Sequence, residues 1–129
     1  QTDEEYATTR TARLHEIHHT ILGLPITVAG EAAATAFYAS TGSIPFHIGI
    51  LTSWMLRGAY EPSEQRLIWD AIGFGIAVGQ KVPELFSPRW EEGWERSITD
   101  WQDELGLSEL LKTSPFKDEF ANIYGFNLD

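Results

Sequence analysis

The sequence predicts an all-α fold, organised as a single helical domain. Apolar residues recur every three or four positions along most of the chain. Glycine and proline divide it into helix-length segments, and no alternating apolar–polar run is long enough to build a sheet. Residues 9–22 form the first helix, stopped by Gly23 and turned at Pro25. Thr27 caps a second over residues 28–38, where Gly30, Ala33, Ala34 and Ala36 leave room for a close helix crossing. Gly42 and Pro45 then punctuate the chain. Residues 44–57 and 63–86 read as two further helices, the latter loosened by Gly73, Gly75 and Gly79. After Pro88, the residues Trp90, Trp94, Ile98, Trp101 and Leu105 make an amphipathic stripe that belongs to the core. From Ser108 onward the composition is mixed.

The chemistry concentrates in His15-Glu16-Ile17-His18-His19, followed after eleven residues by Glu31. Histidines four apart project from one face of a helix, about 40° apart around the axis, which suits two ligands of one metal ion. His15, His19 and Leu22 share a sector of the helix, flanked by Leu14, Ile17 and Ile21. Metal face and core face therefore adjoin, and the site is expected to be semi-buried. The bend at residues 23–27 folds the second helix back and lets Glu31, in its first turn, reach the imidazoles. Two imidazoles with one or two carboxylates suit Zn²⁺, Mn²⁺, Co²⁺ or Fe²⁺. The plain alternative is a pair of partly buried helix histidines with ordinary hydrogen bonds. Glu16, about 60° from His19 around the axis, also reads as a solvated helix charge. His18 reads as a residue behind the site or on the surface, and His47 as a core or surface histidine rather than a ligand.

The same five letters satisfy the H-E-x-x-H motif of zinc metalloproteases, in which the Glu is the general base. The extended form of that motif needs Gly and His three and six residues after the second His, where this chain has Leu22 and Pro25. The protease reading rests on the short motif alone. The run Gly73-Phe74-Gly75-Ile76-Ala77-Val78-Gly79 is not a nucleotide loop, because no strand precedes it and no basic residue follows at the required spacing.

A longer pattern fits far more of the chain. His15 to Glu31 resembles the signature of the fourth Coq protein of ubiquinone (coenzyme Q) biosynthesis, which reads H-D-x-x-H, then L-x-G-x-P-T, then G-E. Thr41-Gly42-Ser43-Ile44-Pro45 resembles that family's T-G-L-P with one residue inserted, and Gly79-Gln80-Lys81-Val82-Pro83 its G-R-x-x-P. Trp94-Glu95-Arg96-Ser97-Ile98, running on to Glu104-Leu105-Gly106-Leu107, resembles W-E-x-S-L…E-L-G-I. The likeness covers roughly residues 4–107. It implies a helical metal-binding domain over residues 1–107, lacking the N-terminal part of the family domain, and a tail over 108–129. Glu16 stands where the family has Asp and Ile26 where it has Thr.

By this resemblance the metal residues are His15, Glu16, His19 and Glu31, with zinc favoured. Arg57, where the family also has an arginine, faces a substrate carboxylate or phosphate, or else makes a helix-end salt bridge. The implied function is metal-dependent, oxidative decarboxylation of a polyprenylated hydroxybenzoate. The alternative is a non-catalytic, lipid-binding scaffold that organises a quinone biosynthetic complex. The implied partners are a prenylated aromatic or isoprenoid lipid and other quinone-biosynthesis proteins, with a homodimer as a further option. The implied location is the membrane periphery: cytoplasmic in a bacterium, the matrix side of the mitochondrial inner membrane in a eukaryote. An apolar groove for the prenyl tail is expected between residues 44–56 and 67–86.

Composition sets outer limits. The 129 residues suit one domain, and the absence of cysteine excludes disulfides and thiolate metal sites. A net charge of −10 opposes nucleic acid and attachment to anionic membranes through a basic patch. No uncharged apolar run reaches the roughly 18–20 residues of a transmembrane helix.

Overall fold

The computed structural model describes residues 2–41, 45–82, 90–93 and 95–119, and among them the regular structure is helical throughout. Trp94 and residues 42–44 lie outside the described residues, and the helix expected to run to Phe86 stops at Lys81, with Val82 as its C-cap. The elements in order are α1 (Asp3–Leu22), α2 (Val28–Ser40), α3 (Pro45–Tyr60), α4 (Pro62–Lys81), a 3₁₀ turn (Trp90–Glu92), α5 (Ile98–Glu104) and α6 (Ser108–Leu111).

The first helix begins well before the expected Thr9. The Thr2 hydroxyl accepts from the Glu5 amide while the Glu5 carboxylate accepts from the Thr2 amide, a capping box that satisfies two end donors at once. At the other end Gly23 adopts φ 64°, and the amides of Gly23 and Leu24 donate to Thr20 and His19 carbonyls. This pairing is a Schellman motif, and it drives Leu24 into the core. Pro25 follows, and the Thr27 side chain accepts from the Gly30 amide to open α2. The bend is tight enough that a Cβ on Gly30 would lie 1.8 Å from the Pro25 carbonyl oxygen.

The central element is α2, buried along almost its whole length from Ala29 to Tyr38. It packs most extensively on α4. The small residues expected to allow a close crossing do so: Ala33 and Ala36 face Gly75, where a Cβ would approach the Ala33 carbonyl oxygen to 2.2 Å. The glycines of α4 were expected to loosen it. Instead α4 is continuous, and Gly75 and Gly79 admit the backbone of α2 to contact.

The tryptophan stripe is not one helix. The 3₁₀ turn carrying Trp90 stops at Gly93, and α5 restarts with Ser97 as its cap. At the break the Trp101 ring lies where a Gly93 side chain would stand, 2.4 Å from its Cβ position, so the position suits glycine. The Trp101 indole N–H donates to the Gly93 carbonyl, the Trp90 ring packs at 4.6 Å from the Trp101 ring, and the Arg96 guanidinium sits 4.1 Å from that ring's centre. Beyond residue 107, Leu111 and Phe116 are fully buried in the cluster that holds Leu22, Leu24 and Phe37, so this part of the mixed segment helps to build the core.

Candidate metal centre

The bend between α1 and α2 brings two imidazoles and one carboxylate to a point. His19 Nε2 lies 3.0 Å from His15 Nε2 and 3.0 Å from Glu31 Oε1, and His15 Nε2 lies 3.3 Å from Glu31 Oε2. His19 is buried, while His15 and Glu31 keep about a third of their side chains open to solvent. A tetrahedral cation with bonds of about 2.0–2.1 Å sets its ligands about 3.3 Å apart, close to these separations. The donor set therefore fits a divalent ion, and the fit includes the groups behind it. His19 Nδ1–H donates to the Leu24 carbonyl at 3.0 Å, which leaves Nε2 to face Glu31. That carbonyl is presented by the Schellman turn, so the helix stop and the ligand orientation have one origin.

Charge in the trio is balanced by protons. Two hydrogen-bonding imidazoles hold the Glu31 carboxyl down at about 2, against an ordinary value of 4.5. Burial works against a charged His19, but hydrogen bonds to Glu31 and to the Leu24 carbonyl, with the charges of Glu31 and Glu16, raise its pKa above the usual imidazole value. A cation between these groups would take over the role of the protons.

Tyr38 was missed by sequence reasoning. Its hydroxyl lies 2.8 Å from His18 Nδ1 and 3.3 Å from His15 Nδ1, which ties the two histidines together behind the site. His18 is fully buried against the rings of Phe37, Tyr38 and Trp90, so of its two expected places it takes the one behind the site. Burial, reinforced by the carboxylates of Glu31 and Glu16, raises the Tyr38 pKa and keeps the phenol protonated.

Two expected residues stand apart from the trio. Glu16 is exposed, lines the cavity described next and is not among the convergent ligand groups; it acts on His19 and Tyr38 through its charge. Arg57 forms the helix-end ion pair: its guanidinium donates to both Glu64 carboxylate oxygens, at 2.8 and 3.2 Å, across the α3–α4 turn. It does not line the cavity described next.

A cavity of about 630 Å³ opens beside the trio, walled by His15, Glu31, Tyr38, Phe46, His47 and Trp54. Its far wall is pinned to α2, since the Trp54 indole N–H donates to the Thr35 hydroxyl, which donates to the Glu31 carbonyl. His47 packs on Tyr38 at 4.8 Å between ring centres, and burial with the nearby charge of His15 lowers its pKa. Of the two expected groove walls, α3 lines this cavity and the described part of α4 does not. No helix among the described residues is long and apolar enough to cross a membrane.

These features define a class: helical proteins in which a tight Gly–Pro bend folds two helices so that His, His and Glu converge beside an apolar cavity. The chain belongs to the family of coenzyme Q (ubiquinone) biosynthesis protein Coq4, which matches residues 1–110. It is similar to a mitochondrial ubiquinone biosynthesis protein coq4 of Sclerotinia sclerotiorum, 33% identical over 112 residues, covering 84% of this chain and 39% of the relative. The Coccidioides immitis protein of that name is 32% identical, covering 83% and 38%. The Culex quinquefasciatus COQ4 homolog 1, mitochondrial, is 26% identical, covering 82% and 37%. The chain thus spans less than two fifths of the length of these relatives. No solved structure matches it.

Proposed function

We propose that this chain carries the metal-binding core of a quinone-biosynthesis enzyme that removes the carboxyl group of a polyprenylated hydroxybenzoate. The observation that carries the reading is the convergence of His15, His19 and Glu31 at the mouth of a cavity with apolar and aromatic walls. A divalent cation, zinc for preference, would supply a fixed positive charge that binds the substrate carboxylate and stabilises the phenolate-like charge left on the ring. In the reaction the ring–carboxyl bond breaks, carbon dioxide leaves, and the electron pair stays on the ring. In the oxidative form one atom of dioxygen becomes the hydroxyl and the other leaves as water, with two electrons and two protons supplied by an external two-electron reductant. The residues of this chain orient the ring. Phe46, Ile50 and Trp54 supply an apolar surface for it and the start of the tail, and Tyr38 closes the inner end. In a eukaryote the reading assigns the protein to the matrix face of the mitochondrial inner membrane. The mitochondrial names of its relatives support that assignment.

A second reading has its own observation. Phe46, Ile48, Leu56, Tyr60, Leu67 and Trp69 are exposed on α3 and α4, an apolar surface suited to a scaffold that meets lipid or partner proteins. The two readings separate in one experiment. Purified protein is loaded with Zn²⁺, Mn²⁺, Co²⁺ or Fe²⁺ and incubated aerobically with prenylated hydroxybenzoate, and released carbon dioxide is measured. Chelator-sensitive release that is lost in His19→Ala supports the enzyme. Metal uptake without turnover, together with loss of partner binding after Tyr60→Ser and Trp69→Ser, supports the scaffold.

A further inference from the structure

We infer that Tyr38 and His18 are positioning residues that preset the proton arrangement of His15 and thereby its affinity for a cation. The inference rests on the metal-centre reading above and concerns groups that touch no substrate. It follows from counting protons. The Tyr38 hydroxyl has one proton and two imidazole neighbours, His18 Nδ1 at 2.8 Å and His15 Nδ1 at 3.3 Å. At least one imidazole must therefore donate to the phenol oxygen. Two orders keep the phenol proton between the two histidines.

In the first order, His15 Nδ1–H donates to Tyr38, and Tyr38 donates to His18 Nδ1. His15 Nε2 is then a bare lone pair aimed at His19 and Glu31, which is the form a metal requires. In the second order, His18 donates to Tyr38, and Tyr38 donates to His15 Nδ1. The His15 proton then sits on Nε2, where it hydrogen-bonds Glu31 and blocks a cation.

Cation binding selects the first order, and the burial of His18 makes that selection stiff. His18 is fully buried and Tyr38 is 2% exposed, so bulk water does not offer either group a free exchange of partners. The shorter contact is the one to His18, which is the bond in which the phenol donates in the first order. Sequence-adjacent His18 and His19 thus do different work. His19 takes its orientation from the Leu24 carbonyl, and His15 takes its orientation from Tyr38 through His18.

The test measures Zn²⁺ affinity by chelator competition in the unchanged protein and in Tyr38→Phe, His18→Leu and His18→Asn, with melting temperature recorded for each. Tyr38→Phe and His18→Leu should each weaken binding about 10–100-fold. His18→Asn keeps an acceptor near the Nδ1 position and should stay within about threefold of the unchanged protein. Nitrogen NMR of the unchanged, zinc-loaded protein reads the tautomers directly and needs no variant to fold. It should show His15 protonated at Nδ1 and His18 at Nε2. Equal affinity in all four proteins, or a zinc-loaded His18 protonated at Nδ1, would overturn the inference while leaving the metal centre standing. Absence of zinc uptake by the unchanged protein would overturn both.

Discussion

At the scale of single residues the site is held by protons whose place a cation would take, and this gives a pH prediction with a definite sign. Glu31 titrates near 2 rather than 4.5, so its pairing stabilises the fold above pH 4.5 and is lost as pH falls toward 2. His19 has a raised pKa, so its contribution is full below pH 6.5 and is lost as pH climbs through the raised value. Both belong to one ion pair. The metal-free protein should therefore gain most from it between about pH 4.5 and 6.5. Compared with Glu31→Gln, the gain should be about 1–2 kcal/mol there, after allowing for the partial exposure of Glu31. Thermal melts across pH 3–9 check this, and added Zn²⁺ should reverse the alkaline decline because its ligands must be deprotonated. His15, His19 and Glu31 were legible in sequence because four-residue spacing on a helix and a Gly/Pro bend are local signals. Tyr38 was not legible. Its place beside His15 depends on how α2 lies on α1, and a tyrosine in an apolar helix reads as core. His18 could be read only as one of two alternatives, since adjacent residues point about 100° apart and only packing shows what the second one meets.

At the scale of elements the decisive contact is α2 against α4, and glycines of one helix separate its packing from its propensity. Gly75 has the Ala33 carbonyl where a Cβ would go, whereas Gly73 has open space within 4 Å. Gly75→Ala should cost about 1–3 kcal/mol by forcing the helices apart. Gly73→Ala should stabilise by about 0.5–1 kcal/mol through helix propensity alone. Denaturant melts of the two variants give opposite shifts if the crossing is as described, and shifts of one sign would contradict it. At the start of α1, Thr2→Ala removes the capping box and should cost about 1 kcal/mol in the same assay. That box was written in the sequence as Thr2-x-x-Glu5, but the apolar periodicity before Thr9 is weak and set the boundary too late. The tryptophan stripe shows the opposite failure. Its period is helical, yet the chain forms a 3₁₀ turn and a short helix, with the Trp101 ring seated against Gly93. Periodicity reports which face is apolar, not whether the backbone stays helical between the apolar residues.

At the scale of the whole molecule, a strongly acidic helical domain presents two unlike features: a cation-sized trio at a half-buried bend, and an apolar surface across α3 and α4. The all-α class and the place of the site follow from local patterns. The cavity's actual walls do not, because they depend on how α3 lies against α2. A prenylated ring that enters this cavity binds only the folded state and should raise the melting temperature, while hydroxybenzoate without its tail should do so much less. Equal shifts from both would remove the tail from the account. The central claim is that His15, His19 and Glu31 hold one divalent cation, and metal content after dialysis tests it most directly. Protein reconstituted with Zn²⁺ and dialysed against buffer should retain about one equivalent per chain, and His19→Ala and Glu31→Gln should retain little while still melting cooperatively. Equal retention by the unchanged protein and both folded variants, or none by any of them, would contradict it.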